Sequence, residues 1–363
     1  MADSVAFGGR FYRRRKDPPA RASSAAATPV LISLNYDQGD VEGGGEQIIL
    51  TGTNMLDVTS VSFGGTPCMV TSTTSSTATV ILPAKIAGAT TVTATNSAGP
   101  SNSLAFEFWA PTTDTSCVLV YDSLSTAYDG TTWVARYSAN PGSNLGQNVG
   151  ALGNVPASSG APVFDGDQTT ESGLRTASLL WSNILGTANG LSNQPGTIAA
   201  VLKSTNTQTL NAGVPYNNPQ AVGNTDQGVI GLAFGRQGGV TPGFMGHVYS
   251  SADGYKTAFV AAAADTYHAV VSRSGTGVSS DSLDISLNGS LAGGLTSTPM
   301  LSGGVYNIYS VQTMTMGVYY SGTNPSFQTF AGTVRALVLL NAMASDTFIT
   351  KHYKWAKQRH GVA

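Results

Sequence analysis

Charged side chains are scarce in this sequence: Asp, Glu, Lys and Arg make up 10% of its 363 residues. The four glutamates are Glu42, Glu46, Glu107 and Glu171. Hydrolysis of a glycosidic bond requires two carboxyl groups about 5 to 10 Å apart, and no Glu-x-Asp-x-Glu strand is present. Asp165 and Asp167 are two residues apart and could share a face of a strand, but we favour a turn whose backbone binds their carboxylates. The sequence therefore argues against a glycosidase, and we predict that the protein is not an enzyme.

Histidine and cysteine are also rare. None of the four histidines has a second histidine two or four residues away, and no nucleophile-elbow motif is present. Cys68 and Cys117 show neither paired metal-ligand spacing nor nearby histidines. We expect two free, buried thiols, with a disulfide between domains as the alternative. Neither a metal site nor a cofactor is predicted.

Long apolar runs are missing as well. No run approaches the roughly 20 residues that a membrane helix needs. No apolar segment follows the N-terminus as in a secretory signal. We therefore expect no membrane partner and no export by the secretory route.

Glycine is abundant, with 43 residues, and turn-forming residues recur along most of the chain. Short β-prone runs separated by such turns are typical of all-β proteins. A chain of this length exceeds what one small core needs and suits two domains. We predict an all-β protein with an N-terminal arm at residues 1–27 and domains at residues 28–109 and 110–363.

The N-terminal arm holds six of the 18 basic residues against two acidic ones. It has no strand or helix period, and in isolation we expect it to be disordered. An organellar transit peptide, unspecific contact with nucleic acid, and a solvated tail without a partner are alternatives. We favour an anchoring arm whose aromatic residues fill pockets and whose arginines pair with acidic groups. The anchor residues are Arg10, Phe11, Tyr12, Arg13, Arg14, Arg15 and Lys16.

Seven β-prone runs in residues 28–109 predict an immunoglobulin-like sandwich. The runs are 28–34, 47–52, 58–63, 68–71, 78–82, 90–95 and 104–109. The sequences LTGTNM, VSFGGTPC and the late NSAG in this segment resemble the IPT/TIG domains. That resemblance implies a spacer or adhesive module without catalytic residues.

A polar linker at residues 111–116 separates this unit from a second one with further β-prone runs. The runs are 117–124, 133–138, 163–168, 197–203, 228–234, 257–262, 267–272 and 283–287. Asn288-Gly289 follows the last of these runs and predicts a tight hairpin.

The segment 330–361 organises the second unit. It begins with a strand that alternates and then becomes apolar on both faces, which predicts deep burial. Ser345 is placed to cap a following helix, and Asp346 lies in its first turn. One stripe of that helix is Phe348, His352 and Trp355, so we expect it to pack on a sheet.

This ending, with the HYKW run, Trp133 and the FDG sequence at residues 164–166, resembles the concanavalin A-like lectin/glucanase domains. The resemblance implies a jelly-roll sandwich closed by one C-terminal helix. It also implies sugar binding, which requires aromatic platforms beside amide or carboxylate groups. The candidate glycan-binding residues are Tyr216, Asn217, Asn218, Tyr249, Asp253, Tyr255, Tyr319 and Tyr320, and each tyrosine could equally lie on the rim of the sandwich without a ligand.

Domains typical of cell surfaces, a basic arm and no export signal together indicate a phage virion protein assembled in the host cytoplasm. We predict a fibre or decoration protein whose arm binds capsid, portal or tail proteins and whose sandwich adsorbs host-cell glycans. A purely structural decoration protein is the alternative; a bacterial adhesin or a glycosidase is a weaker one. By analogy with phage fibres we predict a homo-oligomer, a trimer, without specific nucleic-acid binding.

Overall fold

The structure is a computed structural model. It describes residues 26–43, 45–140, 143–147, 155–165, 173–180, 195–205, 209–210, 220–224, 230–237, 241–250, 254–263, 265–274, 282–292, 313–321 and 324–363. These residues form an all-β protein with one C-terminal helix, as predicted.

The first domain contains nine strands. They are β1 (Val30–Leu34), β2 (Gln38–Gly39), β3 (Gln47–Thr53), β4 (Ser60–Phe63), β5 (Thr66–Thr73), β6 (Thr77–Ile81), β7 (Gly88–Asn96), β8 (Gly99–Pro100) and β9 (Leu104–Phe108). All seven predicted strands are present, and β2 and β8 are short additions.

Strand β5 connects the two halves of the first domain, because it pairs with β6 on one side and with β4 on the other. The strand order is β1-β3-β6-β5-β4-β7-β9-β2, and β8 pairs with β7. Alternating residues such as Ile48, Leu50, Phe63 and Phe106 form one buried core between the halves. The domain is therefore an immunoglobulin-like sandwich.

The second domain begins after a 3-10 turn (Pro111–Thr113), so the segment predicted as a plain polar linker is partly folded, with Pro111 buried. Its strands and helix are β10 (Cys117–Asp122), β11 (Thr132–Trp133), β12 (Tyr137–Ser138), β13 (Leu145–Gln147), β14 (Ala157–Ser158), β15 (Ala161–Asp165), β16 (Leu174–Leu180), β17 (Gly196–Ser204), β18 (Thr209–Leu210), β19 (Gln220–Asn224), β20 (Ile230–Gln237), β21 (Thr241–Ser250), β22 (Gly254–Ala261), β23 (Thr266–Arg273), β24 (Leu283–Leu287), β25 (Ser290–Leu291), β26 (Thr313–Met316), β27 (Val318–Ser321), β28 (Asn324–Thr329), β29 (Ala331–Leu340) and α1 (Asp346–His360).

Two mainly antiparallel sheets make up the second domain. The first has the order β12-β10-β29-β17-β23-β24-β25, and the second has the order β11-β13-β16-β26-β19-β20-β21-β22. Residues from both sheets, among them Tyr121, Trp133, Ile198, Phe234 and Phe244, form one core cluster. The second domain is therefore a sandwich whose core lies between its two sheets.

The first of these sheets is buried on both faces. Along β29, Leu337 and Leu339 belong to the core between the sheets, whereas Val338 and Leu340 pack with the helix α1 on the opposite face. This confirms the prediction of a strand with two apolar faces. Because α1 covers the outer face of this sheet, the apolar side chains on that face are shielded from water.

The helix begins as the sequence predicts. The Ser345 hydroxyl accepts a hydrogen bond of 3.1 Å from the Phe348 amide, and Gly361 ends the helix in the left-handed conformation. Phe348, His352 and Trp355 are buried, so the predicted stripe is the one that packs on the sheet.

The hairpin predicted at Asn288-Gly289 joins β24 and β25. Both turn residues have positive φ, 48° at Asn288 and 78° at Gly289, as a two-residue primed turn requires. A Cβ at position 289 would lie 2.5 Å from a ring carbon of Tyr353, so the tip of the hairpin packs tightly against α1. No helix in the described part of the chain is long and apolar enough to cross a membrane.

Candidate functional site

Most of the residues predicted to form sites lie outside the part of the chain that the structure describes. The anchor residues Arg10, Phe11, Tyr12, Arg13, Arg14, Arg15 and Lys16 lie outside the described residues, as do Tyr216, Asn217, Asn218 and Asp253. Their proposed roles therefore stay predictions.

The remaining candidate tyrosines lie on strands. Tyr249 on β21 is the direct cross-strand partner of Tyr255 on β22, and β22 is the last strand of its sheet. Cross-strand partners share a face of the sheet, so the register brings these two positions together. Tyr319 and Tyr320 lie on β27, which pairs with β28 rather than with β21 or β22.

The structure brings together a different group of side chains, mostly ionisable ones, at the boundary between the two domains. It starts with an acidic loop in the first domain, directly after β2. The Asp40 carboxylate accepts a 2.8 Å hydrogen bond from the Glu42 amide, and the Glu46 amide donates to the Gly43 carbonyl. This folded turn directs Asp40, Glu42 and Glu46 toward the second domain.

Arg136 of the second domain, between β11 and β12, joins this loop to the sandwich. Its Nη2 lies 2.7 Å from Asp40 Oδ1, and its Nη1 donates hydrogen bonds of 2.9 Å to Asp40 Oδ2 and to Asp122 Oδ2. Its Nε donates to Glu42 Oε1 at 3.2 Å. The Arg136 side chain is 3% exposed and those of Asp40 and Asp122 are fully buried, so this is an ionic contact shielded from water.

The helix α1 supplies the rest of the ionic cluster. Arg359 Nε donates to Asp122 Oδ2 at 2.7 Å, and its Nη1 donates to Glu46 Oε1 at 2.9 Å. The Trp355 indole N–H donates to Asp40 Oδ2 at 2.6 Å. We call Asp40, Glu42, Glu46, Asp122, Arg136, Trp355 and Arg359 the interdomain cluster.

The pairing shifts the acids in opposite directions. Burial opposes ionisation of Asp40, but the hydrogen bonds and charge of Arg136 outweigh it and lower the pKa of Asp40. The pKa of Asp122 is also lowered, because the adjacent His360 and Arg359 outweigh burial. Burial raises the pKa of Glu46 in spite of its bond to Arg359. Asp40 and Asp122 are therefore held as carboxylates by arginines, an arrangement suited to joining surfaces.

A second set of contacts surrounds the interdomain cluster. Lys351 and Lys354 on α1 pair with Glu107 and Asp37 of the first domain at 2.5 Å and 2.6 Å. Trp109, at the end of the first domain, packs edge-on against Phe348 with ring centroids 5.8 Å apart. The helix α1 therefore contacts both domains, and each is fixed to the other through it.

The N-terminal arm joins the first domain at the end away from this boundary. The Ala27 carbonyl accepts a hydrogen bond from Asn96, the last residue of β7. The Thr28 carbonyl accepts one from Asn54, which directly follows β3. Glu46, which belongs to the interdomain cluster, directly precedes β3. A strand of seven residues spans about 20 Å, so Ala27 and Thr28 lie at the opposite end of the first domain from the interdomain cluster.

Two histidines meet beneath α1. His268 Nε2 and His352 Nδ1 lie 2.7 Å apart, and both side chains are fully buried. Burial lowers the pKa of His268 to about 3. Burial and the neighbouring His268 and His360 lower the pKa of His352 well below its ordinary value. Both rings are therefore neutral at pH 7, with one donating its N–H to the other.

Among the described residues, no group of three or more His, Cys, Asp and Glu side chains is arranged to hold a metal ion. Cys68 and Cys117 are both free, so the alternative of a disulfide between the domains is wrong. Burial raises the pKa of Cys117 to about 12 and that of Cys68 to about 11. Neither thiol is prepared for nucleophilic chemistry.

Residues 29–108 match the sequence profile of the IPT/TIG domain. The first domain is an IPT/TIG domain. This confirms the resemblance seen in the VSFGGTPC and NSAG sequences. The profile covers the first domain alone, and the concanavalin A-like family of the second domain stays a prediction.

Comparison with solved structures gives matches at TM-scores below 0.5. One is a Trypanosoma rangeli sialidase in complex with sialic acid, with a TM-score of 0.44, 11% identity, and coverage of 90% of this chain and 52% of the other. Another is botulinum neurotoxin type C, whose cell entry depends on interaction with two ganglioside molecules. Its TM-score is 0.41 and its identity 10%, with coverage of 66% of this chain and 51% of the other. The chain thus spans about half the length of each. No curated protein sequence matches the chain.

The interdomain cluster was not predicted, although the sequence holds a signal for it. In a chain with so few charges, residues 37–46 carry four acidic side chains and residues 351–359 carry four basic ones. The basic residues lie toward the C-terminal end of α1, where they also complement the helix dipole. Two compact groups of opposite charge in a charge-poor chain also predict a contact between them.

Proposed function

We propose that this protein is a structural component of a phage particle, anchored by its N-terminal arm. The IPT/TIG domain serves as a stiff spacer, and the larger sandwich is presented outward for adsorption to host-cell glycans. The protein is assembled in the host cytoplasm and works as a homo-oligomer on the particle.

One observation carries this proposal: the arm and the sandwich are attached at opposite ends of the first domain. The chain enters beside Asn54 and Asn96, whereas the interdomain cluster lies at the other end of β3. Because the cluster is buried and multiply bonded, it holds the sandwich at a fixed distance from the anchored end. A module that adsorbs to a surface benefits from being held clear of the particle that carries it.

The anchor is tested on purified particles. A phage that encodes the chain with Arg13, Arg14 and Arg15 replaced by alanine should yield particles that lack it, because the arm loses its pairing with acidic groups. The matched control replaces the same residues by lysine, which keeps the charge and should keep most of the incorporation. Equal amounts of all three chains in the particles would refute the anchor.

Glycan adsorption is tested with the full chain on a glycan array. Removing the first domain would strip Asp40 from Arg136 and Glu46 from Arg359 and uncover Phe348, against which Trp109 packs, so a fragment would be a poor probe. We call the β21–β22 pair that carries Tyr249 and Tyr255 the tyrosine hairpin. Loss of binding when both residues are replaced by alanine would support the tyrosine hairpin as the site. Absence of any signal with the full chain would indicate a purely structural decoration protein.

A further inference from the structure

A cavity of about 240 Å³ lies next to the interdomain cluster, beside the last turn of α1. Its walls come from the segment after β10, the β14–β15 hairpin, the strand β29 and the end of α1. The hairpin tip is pressed against the wall opposite, because a Cβ at Gly160 would lie 2.9 Å from the Ser123 carbonyl oxygen. The cavity is therefore bounded by parts of the chain that are fixed against one another.

The cavity is lined by polar groups that the protein itself leaves unused. The hydroxyls of Ser123, Ser159 and Thr333 line it and form no hydrogen bond with any described residue. Ser123 is 6% exposed. Thr333 is half-buried and Ser159 is exposed, so three hydroxyls around one concave surface are available to a polar ligand or to water.

The charge on the walls favours an anion. Arg335 uses one N–H, on Nη1, to donate a 2.7 Å hydrogen bond to the His360 carbonyl, and no described residue accepts from its other N–H groups. Arg359 also lines the cavity, but Asp122, Glu46 and Ser125 accept its hydrogen bonds. Among the described residues, no acidic side chain lines the cavity. Arg335 is thus the cation with donors to spare.

We propose that this cavity binds a single acidic sugar, with its carboxylate on Arg335. A guanidinium group pairs with a carboxylate through two parallel hydrogen bonds. The ring hydroxyls of the sugar exchange hydrogen bonds with Ser123, Ser159 and Thr333, and the exposed side chain of Leu124 at the rim covers a C–H face. The volume lies below the roughly 300–1,000 Å³ of sites for drug-sized ligands, which suits one sugar ring.

This site goes beyond the proposed function, because it assigns a ligand class to a part of the sandwich remote in sequence from the tyrosine hairpin. It also stands apart from the anchor, since a purified chain that never enters a particle can bind a sugar. The two proposals can therefore fail separately.

The test is titration of the purified full chain with sodium glucuronate and N-acetylneuraminate, followed by calorimetry or saturation-transfer NMR. Glucose and inorganic phosphate serve as comparison ligands. Arg335→Gln should weaken binding of the acidic sugars by about tenfold or more, since it removes a charged hydrogen-bonding partner. Thr333→Val, which keeps the shape of the side chain, should weaken binding by about threefold. Lys357→Gln removes a positive charge from the exposed side of α1, which also borders the cavity, and should change nothing.

Glucose binding as strong as glucuronate binding would overturn the proposal, and so would the absence of binding to either acidic sugar. Phosphate binding as tight as that of the sugars, or equal losses in Lys357→Gln and Arg335→Gln, would also overturn it. If Arg335→Gln unfolds, Thr333→Val and the charge-preserving Arg335→Lys decide, with circular dichroism confirming their fold. Selective loss of acidic-sugar binding in these variants supports the site.

Discussion

Arg136 of the sandwich forms two parallel hydrogen bonds with Asp40 of the IPT/TIG domain, with N–O distances of 2.7 Å and 2.9 Å. Both side chains are almost completely buried. A buried charge is tolerated only when it is paired, so an arrangement of the domains that keeps one of these side chains buried must also keep its partner beside it. The pair therefore makes the relative position of the two domains part of the folded state.

Replacing Arg136 by glutamine should be strongly destabilising. Asp40 would lose its two hydrogen bonds to a guanidinium group while staying buried, and Asp122 would keep only Arg359. Breaking a buried ion pair costs about 3–5 kcal/mol. We expect the free energy of unfolding, measured by denaturant titration, to fall by that amount and the single transition to separate into two.

The matched control is Lys354→Gln, which removes an interdomain pair that is open to solvent. The side chains of Lys354 and Asp37 are 44% and 63% exposed, and such surface pairs contribute about 0–1 kcal/mol. Losses of similar size in the two variants would show that the buried cluster does not hold the domains together.

The histidine pair predicts a fall in stability on mild acidification. Because the pKa of His268 is about 3 in the fold and 6.5 ordinarily, the unfolded chain binds more protons between these values. The stability that the neutral ring contributes is complete above pH 6.5 and is lost as the pH falls through this window. His352 acts in the same direction.

Each such histidine changes the free energy of unfolding by up to about 1.4 kcal/mol per pH unit within its window. Asp40 and Asp122, whose pKa values are lowered, lose their contribution only below their ordinary value of 3.8. Unfolding measured between pH 7 and pH 4.5 therefore isolates the histidines from these aspartates. The double variant His268→Gln, His352→Gln should show a reduced slope; an unchanged slope would contradict the buried neutral pair.

Gly289 and Gly65 offer a matched comparison of two hairpin turns. Both follow a residue with positive φ and have nearly equal φ values, 78° and 79°. A Cβ at Gly65 meets nothing within 4 Å, whereas at Gly289 it meets Tyr353 at 2.5 Å. Gly65→Ala should cost about 1 kcal/mol from backbone strain.

Gly289→Ala should cost about 1–3 kcal/mol more, because overpacking adds to the strain. Thermal unfolding of the two variants measures the difference. Equal melting temperatures would mean that the hairpin tip does not pack on α1.

The sequence predicts local features well where periodicity and turn chemistry agree. The seven strands of the first domain, the Ser345 cap and the Asn288-Gly289 hairpin all follow from residues close in sequence. Strand β21 was not predicted, because Pro242, Gly243 and Gly246 interrupt its apolar pattern, yet pairing with β20 and β22 on both sides supports it. Tertiary pairing here overrides a weak local preference.

The interdomain cluster escaped prediction for a different reason. Arg136 and Asp40 are 96 residues apart, and no local pattern links them. Only the folded chain brings the loop after β2, the end of β10 and the last turn of α1 together. Similarly, the unused hydroxyls around Arg335 come from distant segments and become a site only when the sandwich forms.

The rigid connection between the domains is tested most directly by a distance distribution. Spin labels are attached through non-canonical amino acids at Leu56 and Leu291, which are 60% and 64% exposed, so that Cys68 and Cys117 stay unmodified. Pulsed dipolar spectroscopy should give one narrow distribution for the native chain and a broad one for Arg136→Gln. A broad distribution in the native chain would contradict a first domain that holds the sandwich at a fixed distance from the arm.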